Sequence, residues 1–384
     1  MERAGLKELV LATGCAEEHG GSVFLCDPAW SSAERARVVS LQSKAAKRKK
    51  EIPMGWLCLP TGGTSGQIKF TRHDERTLTA AVSGFCAHFG LAQVNAVGVL
   101  PAHHVSGLMA RVRCAETGGE YLAWGWKELE AGRRPVLPRR RGPLVISLVP
   151  TQLQRLLRSR AAVAWLRRFE IIFLGGGPVW PELADAAMRA KLRVSLSYGM
   201  TETAAMCAAL RPEEFLAGAR SCGTALPHAH IELNAEGAVV VSGGSVFRGY
   251  FPLFSQARRF ITEDFGRVDE RGHLHVLGRR DAVIITGGKK VQPPEVEAVL
   301  LVSGEFADIA VVGVPDAEWG EAVVACYPAG GASPNLQRAV TSLAAHQRPK
   351  RFVAIARWPR NAQGKLNRAA LLAAAASASA NPRR

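Results

Sequence analysis

The sequence has 384 residues, of which 47% are apolar and 21% charged, a composition typical of a globular protein with a sizeable core. Charges scattered through the first ten residues and short apolar runs argue against a secretory signal and a membrane span, so we expect a cytoplasmic protein. The formal charge of +16 is concentrated in residues 44–50 and 133–141, which lack interleaved aromatics, so a solvated surface is favoured over a nucleic-acid interface.

The eight cysteines are scattered and include no C-x-x-C pair, which argues against a zinc site and against a disulfide framework.

Attraction of polyanionic ligands such as ATP and coenzyme A is a second interpretation of the basic clusters at 44–50 and 133–141. Oligomeric state is left open.

Predicted elements alternate along the chain. Residues 1–50 show weak periodicity and end in a Lys/Arg run, which predicts an exposed link. Strands are predicted at 56–60, 95–100, 171–174 and 194–197, and helices at 74–89, 153–166 and 181–192. This order indicates a largely parallel sheet covered by helices, that is, an α/β fold.

The character changes after about residue 227. Short antiparallel strands are predicted at 230–234, 238–242 and 273–277. Beyond residue 281 a compact α+β segment follows, with strands at 283–286 and 309–314 and a helix entered through Pro293 and Pro294. The Ala/Ser-rich tail after Leu372 is expected to fray.

The first chemical constellation is LPTGGTSGQIKF, residues 59–70. Its glycines allow backbone N–H groups to approach phosphate oxygens, while hydroxyls and a lysine add hydrogen bonds and charge. We predict that it lies between a strand and a helix, whose N-terminal dipole would assist. A flexible turn is the alternative. The candidate phosphate-binding residues are Thr61, Gly62, Gly63, Thr64, Ser65, Gly66 and Lys69.

The second constellation is SLSYGMTETAAM, residues 195–206. Tyr198 could stack on a base, Thr201 could bond a phosphate, and Glu202 could hold a hard cation such as Mg²⁺. A polar helix cap is the alternative.

Two further patterns lie towards the carboxy terminus. Asp264 could accept both hydroxyls of a ribose, and Arg279 could add a bond to the same sugar; ordinary turn and surface roles are the alternatives. Lys365 follows Gly364 in a polar turn, where most lysines are only solvated charges.

Taken together, these motifs resemble the superfamily of adenylate-forming acyl-CoA synthetases, peptide-synthetase adenylation domains and luciferases. YGMTET at 198–203 matches the family's nucleotide-and-magnesium motif without departure. In the phosphate loop, Gly62 replaces the usual Ser and Ile68 the usual Pro, and Glu263 replaces the usual Gly before the ribose-binding aspartate. The resemblance covers about residues 53–370.

The resemblance implies a large amino-terminal adenylate-forming domain (1–280) with a barrel-like β part, and a small mobile α+β domain (281–384) that carries the catalytic lysine. It implies ATP, Mg²⁺ and coenzyme A as substrates and activator, with no tightly bound cofactor. The implied catalytic residues are Lys365, Glu202, Thr201 and His104, with Glu202 as the metal ligand. The implied nucleotide residues beyond the loop are Gly176, Gly177, Pro178, Tyr198, Gly199, Asp264 and Arg279. The implied acyl pocket consists of His104, Ser106 and Gly107. The implied hinge is Asp281, and the implied coenzyme A residues are Gly287 and Gly288.

Segments 100–108, 148–157 and 173–178 look most like those of o-succinylbenzoate–CoA ligases of menaquinone and phylloquinone synthesis, although Ala205 and Met206 replace a common Ser-Gln pair. The expected reaction therefore joins a carboxylic acid to coenzyme A through an acyl-adenylate. Two alternatives remain: an adenylating enzyme that loads a carrier protein, and a non-catalytic nucleic-acid-binding protein, which the joint presence of Glu202, Asp264 and Lys365 disfavours.

Overall fold

The computed structural model describes residues 2–46, 54–62, 68–137, 142–330, 333–359 and 366–380. These residues form two compact units. The first lies within Met1–Gly63, Ile68–Thr262 and Arg267–Val276, and the second within Glu263–Gly266 and Leu277–Arg384. The domain boundary at 280/281 stays a prediction.

The first unit begins with a small four-stranded sheet in the order β1-β2-β3-β4. Its elements are α1 (Arg3–Leu11), β1 (Ala16–His19), β2 (Ser22–Leu25), α2 (Ser32–Ala46), β3 (Leu57–Gly62) and β4 (Ile68–His73). The sequence predicted no element before residue 50, yet Leu6, Val10 and Val23 are buried in a shared core. Weak periodicity concealed this core because each early element is short and buries only a few side chains.

A seven-stranded sheet forms the centre of the first unit, in the order β11-β10-β9-β8-β7-β5-β6. Its strands are β5 (Asn95–Gly98), β6 (Tyr121–Ala123), β7 (Leu144–Leu148), β8 (Ile171–Leu174), β9 (Val194–Met200), β10 (Ala205–Ala209) and β11 (Thr224–Ala225). Its helices are α3 (Glu75–Phe89), α4 (Val105–Glu116), α5 (Trp126–Glu130), α6 (Pro150–Leu157), α7 (Arg160–Leu166), α8 (Pro181–Arg189) and α9 (Pro212–Leu216). Strands β5 to β9 pair in parallel, which confirms the predicted α/β class.

One predicted helix is divided in two. The stretch 153–166 was expected to be a single helix, but α6 ends at Leu157 and α7 begins at Arg160. The Ser159 hydroxyl accepts a hydrogen bond from the Ala162 backbone N–H and so caps the second helix. Apolar spacing continues across the break and therefore hid it.

The chain then forms a third sheet in the order β12-β13-β14-β15. Its strands are β12 (Ala229–Leu233), β13 (Ala238–Gly243), β14 (Arg259–Val268) and β15 (Leu274–Arg279). Strands β12 and β13 pair antiparallel, as the polar turns predicted.

The rest of the second unit is an α+β segment with the sheet order β17-β16-β19-β18, to which β20 adds beside β19. Its elements are β16 (Ile284–Thr286), β17 (Lys289–Val291), α10 (Pro293–Val302), β18 (Ala310–Asp316), β19 (Gly320–Pro328), α11 (Leu336–Ala339), β20 (Arg351–Ile355) and α12 (Arg368–Ala380). The expected frayed tail is wrong up to Ala380, because Leu371 and Ala375 are fully buried and anchor α12.

None of the helices in the described part of the chain has both the length and the hydropathy needed to cross a bilayer.

Candidate active site

Three residues of the predicted phosphate loop lie on β3 and β4, which pair antiparallel. Thr61 lies opposite Lys69, and Gly62 opposite Ile68. The loop residues Gly63, Thr64, Ser65 and Gly66 lie outside the described residues. The expected helix does not follow the loop directly, because β4 continues to His73 and α3 begins only at Glu75.

The N-terminus of α3 is capped from within the protein. The Asp74 carboxylate accepts a hydrogen bond from the Thr77 backbone N–H at 3.1 Å and another from the Arg248 guanidinium at 3.0 Å. Burial by itself would raise the pKa of Asp74, but the hydrogen bonds and charge of Arg248 outweigh it and leave the pKa lowered. Strand β4 thus separates the loop from α3, and Asp74 already satisfies one N–H of the first helical turn, while the contribution of the helix dipole to phosphate binding stays a prediction.

The Asp74–Arg248 pair also anchors a segment along the edge of β4. The backbone N–H of Arg248 donates to the Arg72 carbonyl, the N–H of Arg72 to the Gly249 carbonyl, and the N–H of Phe251 to the Phe70 carbonyl. This ladder places Tyr250 opposite Thr71, two residues beyond Lys69.

Tyr250 connects the hairpin to Glu202. Its hydroxyl donates a hydrogen bond of 2.7 Å to Oε1 of Glu202, and the Lys69 ammonium lies 5.5 Å from the centre of its ring. Glu202 is only 7% exposed, and its carbonyl accepts a hydrogen bond from the Phe247 backbone N–H. A lysine, a phenol and a buried carboxylate thus adjoin the end of the glycine-rich hairpin.

Glu202 lies in a tight 3₁₀ turn that hydrogen bonds of the Thr203 hydroxyl stabilise. Residues Thr201–Thr203 form one 3₁₀ turn between β9 and β10, closed by Thr203, whose hydroxyl bonds Met200 and Ala205. Ala204 and Ala205 have φ angles of 52° and 76°, which are strained for residues with a Cβ. Such strain persists where neighbouring contacts impose it, and it is common at functional sites.

His73 also contacts the turn Thr201–Thr203, through a hydrogen bond to its first residue. Its Nε2 lies 2.8 Å from the Thr201 carbonyl oxygen, and its Nδ1 lies 3.1 Å from the Thr77 hydroxyl. Burial lowers the pKa of His73 to about 4, so the imidazole is neutral near pH 7. Because a carbonyl can only accept, Nε2 carries the proton and Nδ1 accepts from Thr77.

The GGGP turn lies at the carboxyl end of β8, next to the end of β9 that carries Tyr198. Ligands of open α/β sheets bind at such carboxyl ends. Gly176 has a φ of +79°, and a Cβ on Gly199 would lie 2.0 Å from the Ala205 carbonyl oxygen, so both positions require glycine. Tyr198 is 9% exposed and packs in a core with Val241, so its role in binding a base stays a prediction.

The predicted acyl-pocket residues lie at the start of α4. His104 occupies the N-cap position, while Ser106 and Gly107 line a small internal cavity together with Arg113. A Cβ on Gly107 would lie 2.1 Å from the Pro101 carbonyl oxygen, so this turn also requires glycine.

The remaining predicted residues belong to the second unit. The Asp264 carboxylate and the Arg279 guanidinium are 3.5 Å apart, the proximity that two groups sharing one sugar would need. Gly287 and Gly288, both with positive φ, form the two-residue turn between β16 and β17. Asp281 lies in the 3₁₀ turn Arg280–Ala282, and Lys365 lies outside the described residues.

Sequence reasoning missed Tyr250 and His73. Tyr250 is one of four tyrosines and directly follows a glycine, a signal that could have drawn attention to it. His73 has no local signal, since its partner Thr201 is 128 residues away.

A parallel sheet with a glycine turn at the carboxyl end of β8, beside a hairpin whose Lys69 shares the neighbour Tyr250 with the buried carboxylate of Glu202, is typical of nucleotide-binding α/β proteins. Residues 19–251 match the family described as AMP-binding enzyme, and residues 295–365 match the AMP-binding enzyme C-terminal domain. The chain belongs to this family, which confirms the resemblance drawn from the motifs.

Curated relatives carry the name 2-succinylbenzoate–CoA ligase. The protein of Oceanobacillus iheyensis is 30% identical over 70% of this chain and 59% of its own length. That of Geobacillus kaustophilus is 31% identical over 86% of this chain and 73% of its own length. The match thus spans under two thirds of the first relative.

The fold is similar to that of the o-succinylbenzoate CoA synthetase (MenE) of Bacillus subtilis, solved in complex with the acyl-adenylate intermediate OSB-AMP. The TM-score is 0.73 at 26% identity, over 90% of this chain and 77% of the other. The same enzyme in complex with ATP and magnesium ion gives a TM-score of 0.71, also at 26% identity.

Proposed function

We propose that the chain is an AMP-forming acid–thiol ligase that converts o-succinylbenzoate, ATP and coenzyme A to the acyl-CoA, AMP and pyrophosphate. The contact of Tyr250 with both Glu202 and Lys69 carries the proposal, because it joins a metal-binding carboxylate to the phosphate-loop lysine. The names of the relatives support the acid, and the resemblance drawn from the motifs supports the pathway, menaquinone synthesis. ATP and coenzyme A are cytoplasmic substrates, so we assign the reaction to the cytoplasm.

In the first half-reaction a carboxylate oxygen attacks the α-phosphorus of ATP. A new P–O bond forms as the bond to the bridging oxygen breaks, and the electron pair leaves with pyrophosphate. We assign the β- and γ-phosphates to the hairpin residues 61–66 and to Lys69, whose position beside Tyr250 fixes one end of the loop.

Glu202 suits a magnesium ion. Its buried carboxylate accepts one hydrogen bond from Tyr250 and keeps further lone pairs for a hard cation, and Thr201 precedes it in the same turn. Bound there, Mg²⁺ would offset the charge of the phosphates.

The remaining nucleotide contacts are assigned by motif and local geometry. We assign adenine to the turn Gly176, Gly177 and Pro178 and to the strand end at Tyr198 and Gly199. Ribose is assigned to Asp264 and Arg279, whose charged groups are 3.5 Å apart. Lys365 would stabilise charge that develops on the α-phosphate and carboxylate oxygens, and loss of one such contact commonly costs ~10²–10³ in rate.

In the second half-reaction the thiol sulfur of coenzyme A attacks the acyl carbon of the adenylate. A C–S bond forms, the C–O bond to AMP breaks, and the thiol proton passes to solvent. We propose that the carboxy-terminal domain turns about Asp281 between the steps, withdraws Lys365, and presents Gly287 and Gly288 to coenzyme A. His104, Ser106 and Gly107 would border the acyl group.

A pyrophosphate-release assay tests the proposal. The protein is offered ATP, Mg²⁺ and a set of aromatic and aliphatic acids that includes o-succinylbenzoate, with and without coenzyme A. Release that depends on o-succinylbenzoate, with thioester formed from free coenzyme A, is the expected result. Release with another acid would overturn the substrate, transfer only to a phosphopantetheinylated carrier would overturn the acceptor, and no release with any acid would overturn the ligase.

A further inference from the structure

Three side chains that can bind a metal ion, none of them Glu202, meet between the segment after β2 and the start of α4. Asp27 follows β2, and His103 and His104 immediately precede α4. Each offers one ligand atom, and these three atoms lie within 4.8 Å of one another. Asp27 and His103 are 9% and 7% exposed, and His104 is half-buried, so two of the three side chains lie out of solvent.

A backbone hydrogen bond orients the Asp27 carboxylate. One oxygen, Oδ1, accepts the Ala29 backbone N–H at 2.8 Å, which turns Oδ2 towards His103. Oδ2 lies 3.5 Å from His103 Nε2, too long for a hydrogen bond with good geometry. A separation near 3.4 Å is about that of two ligands bound to one tetrahedral Zn²⁺ at about 2.1 Å each.

His103 has a buried nitrogen for which the described part of the chain offers no hydrogen bond. This nitrogen is Nε2, and leaving a buried polar atom without a partner is costly unless a ligand compensates. The neighbouring His104 ring lies 4.2 Å away, centre to centre.

We propose that Asp27, His103 and His104 form a site for a divalent transition-metal ion, best suited to Zn²⁺. Two imidazoles and one carboxylate are ligands that zinc uses in three-ligand sites, which leave a fourth position open to water or another small ligand. The bound ion would tie the segment after β2 to the beginning of α4. The site shares His104 with the acyl pocket proposed above, but metal binding is measured without ATP, acid or coenzyme A, so its failure and the failure of the ligase proposal are distinguishable.

The first experiment uses Co²⁺ and Zn²⁺ with the untagged, full-length chain. Titration should give one Co²⁺ per chain with visible bands of nitrogen and oxygen ligation, which Zn²⁺ then displaces. Bands of thiolate-to-cobalt charge transfer would instead place the ion on a cysteine and overturn the site. No stoichiometric binding would also overturn it.

The second experiment compares variants. Asp27→Asn and His103→Gln should each weaken Zn²⁺ binding by at least about tenfold, while His275→Gln, which alters the more exposed His275–Asp269 pair, should leave it unchanged. Unchanged affinity in both site variants would overturn the proposal. If a variant does not fold, the thermal unfolding of the wild type tests the site instead. Zn²⁺ should raise the midpoint temperature of wild-type unfolding, and an unchanged midpoint would contradict binding to the native state.

Discussion

The phenol of Tyr250 donates a 2.7 Å hydrogen bond to the carboxylate of Glu202, although 48 residues separate them. Its ring also faces the Lys69 ammonium. One side chain therefore orients the proposed metal ligand and borders the proposed phosphate-loop lysine.

Tyr250→Phe keeps the ring but removes the donor on Glu202. A hydrogen bond to a charged group contributes about 1.5 kcal/mol or more, so we expect pyrophosphate release to slow about tenfold, with a higher Mg²⁺ requirement. The measurement is initial rate against Mg²⁺ concentration. Tyr327→Phe in the second unit is the matched control and should behave as the wild type. Wild-type Mg²⁺ dependence in Tyr250→Phe would show that the phenol does not position Glu202.

Asp264→Ala removes the carboxylate assigned to the ribose hydroxyls. We expect weaker ATP binding, because two hydrogen bonds to a charged acceptor are lost and Arg279 loses its partner at 3.5 Å. Calorimetric titration with ATP measures the change. Asp269→Ala, which removes a carboxylate that bonds His275 on the same pair of strands, is the control. An ATP affinity equal to that of the wild type would remove Asp264 from the nucleotide site.

Lys365→Ala separates the two half-reactions. We expect adenylate formation to be abolished, because the charge that develops on the α-phosphate loses its cation, while thioester formation from supplied acyl-adenylate is spared. Pyrophosphate release reports the first step and acyl-CoA production from synthetic adenylate the second. Lys350→Ala, a lysine that lies over the Trp319 ring, is the control. Equal loss of both half-reactions would contradict the assigned role.

Acid should destabilise the protein through His73. Its pKa is about 4 when folded, below the ordinary value of 6.5, so the unfolded chain binds more protons between these values. The stability is therefore complete above about pH 6.5 and falls as the pH drops towards 4. His73 alone should account for about 2 kcal/mol between about pH 7.5 and about pH 5.

His73→Gln checks this assignment. The amide can still donate to the Thr201 carbonyl but does not titrate, so urea unfolding of the variant should depend less on pH than that of the wild type. His228, whose burial also lowers its pKa to about 4, should contribute to the slope that remains in the variant. Identical slopes in the two proteins would show that His73 is not the buried titrating group.

Local sequence patterns were enough to predict several elements and the family. The strand 171–174 was predicted with its exact bounds because four consecutive apolar residues are all buried, and the helix predicted at 74–89 begins one residue later, where Asp74 forms its cap. YGMTET and the other motifs predicted the family, which the match of residues 19–251 confirms, because their glycines and polar residues stand at a fixed spacing that is readable from the sequence. The break at Ser159 and the buried α12 were missed, since neither changes the local spacing of apolar residues.

Tertiary structure decided which side chains meet. Tyr250 reaches Glu202 only because residues 248–251 pair with the edge of β4, and Asp27 reaches His103 only because β2 and α4 belong to one core. The periodicity of helices and strands follows from contacts between residues close in sequence, and it is therefore readable from the chain alone. Strand neighbours and buried polar pairs depend on which distant surfaces exclude water together, a choice that no local pattern encodes.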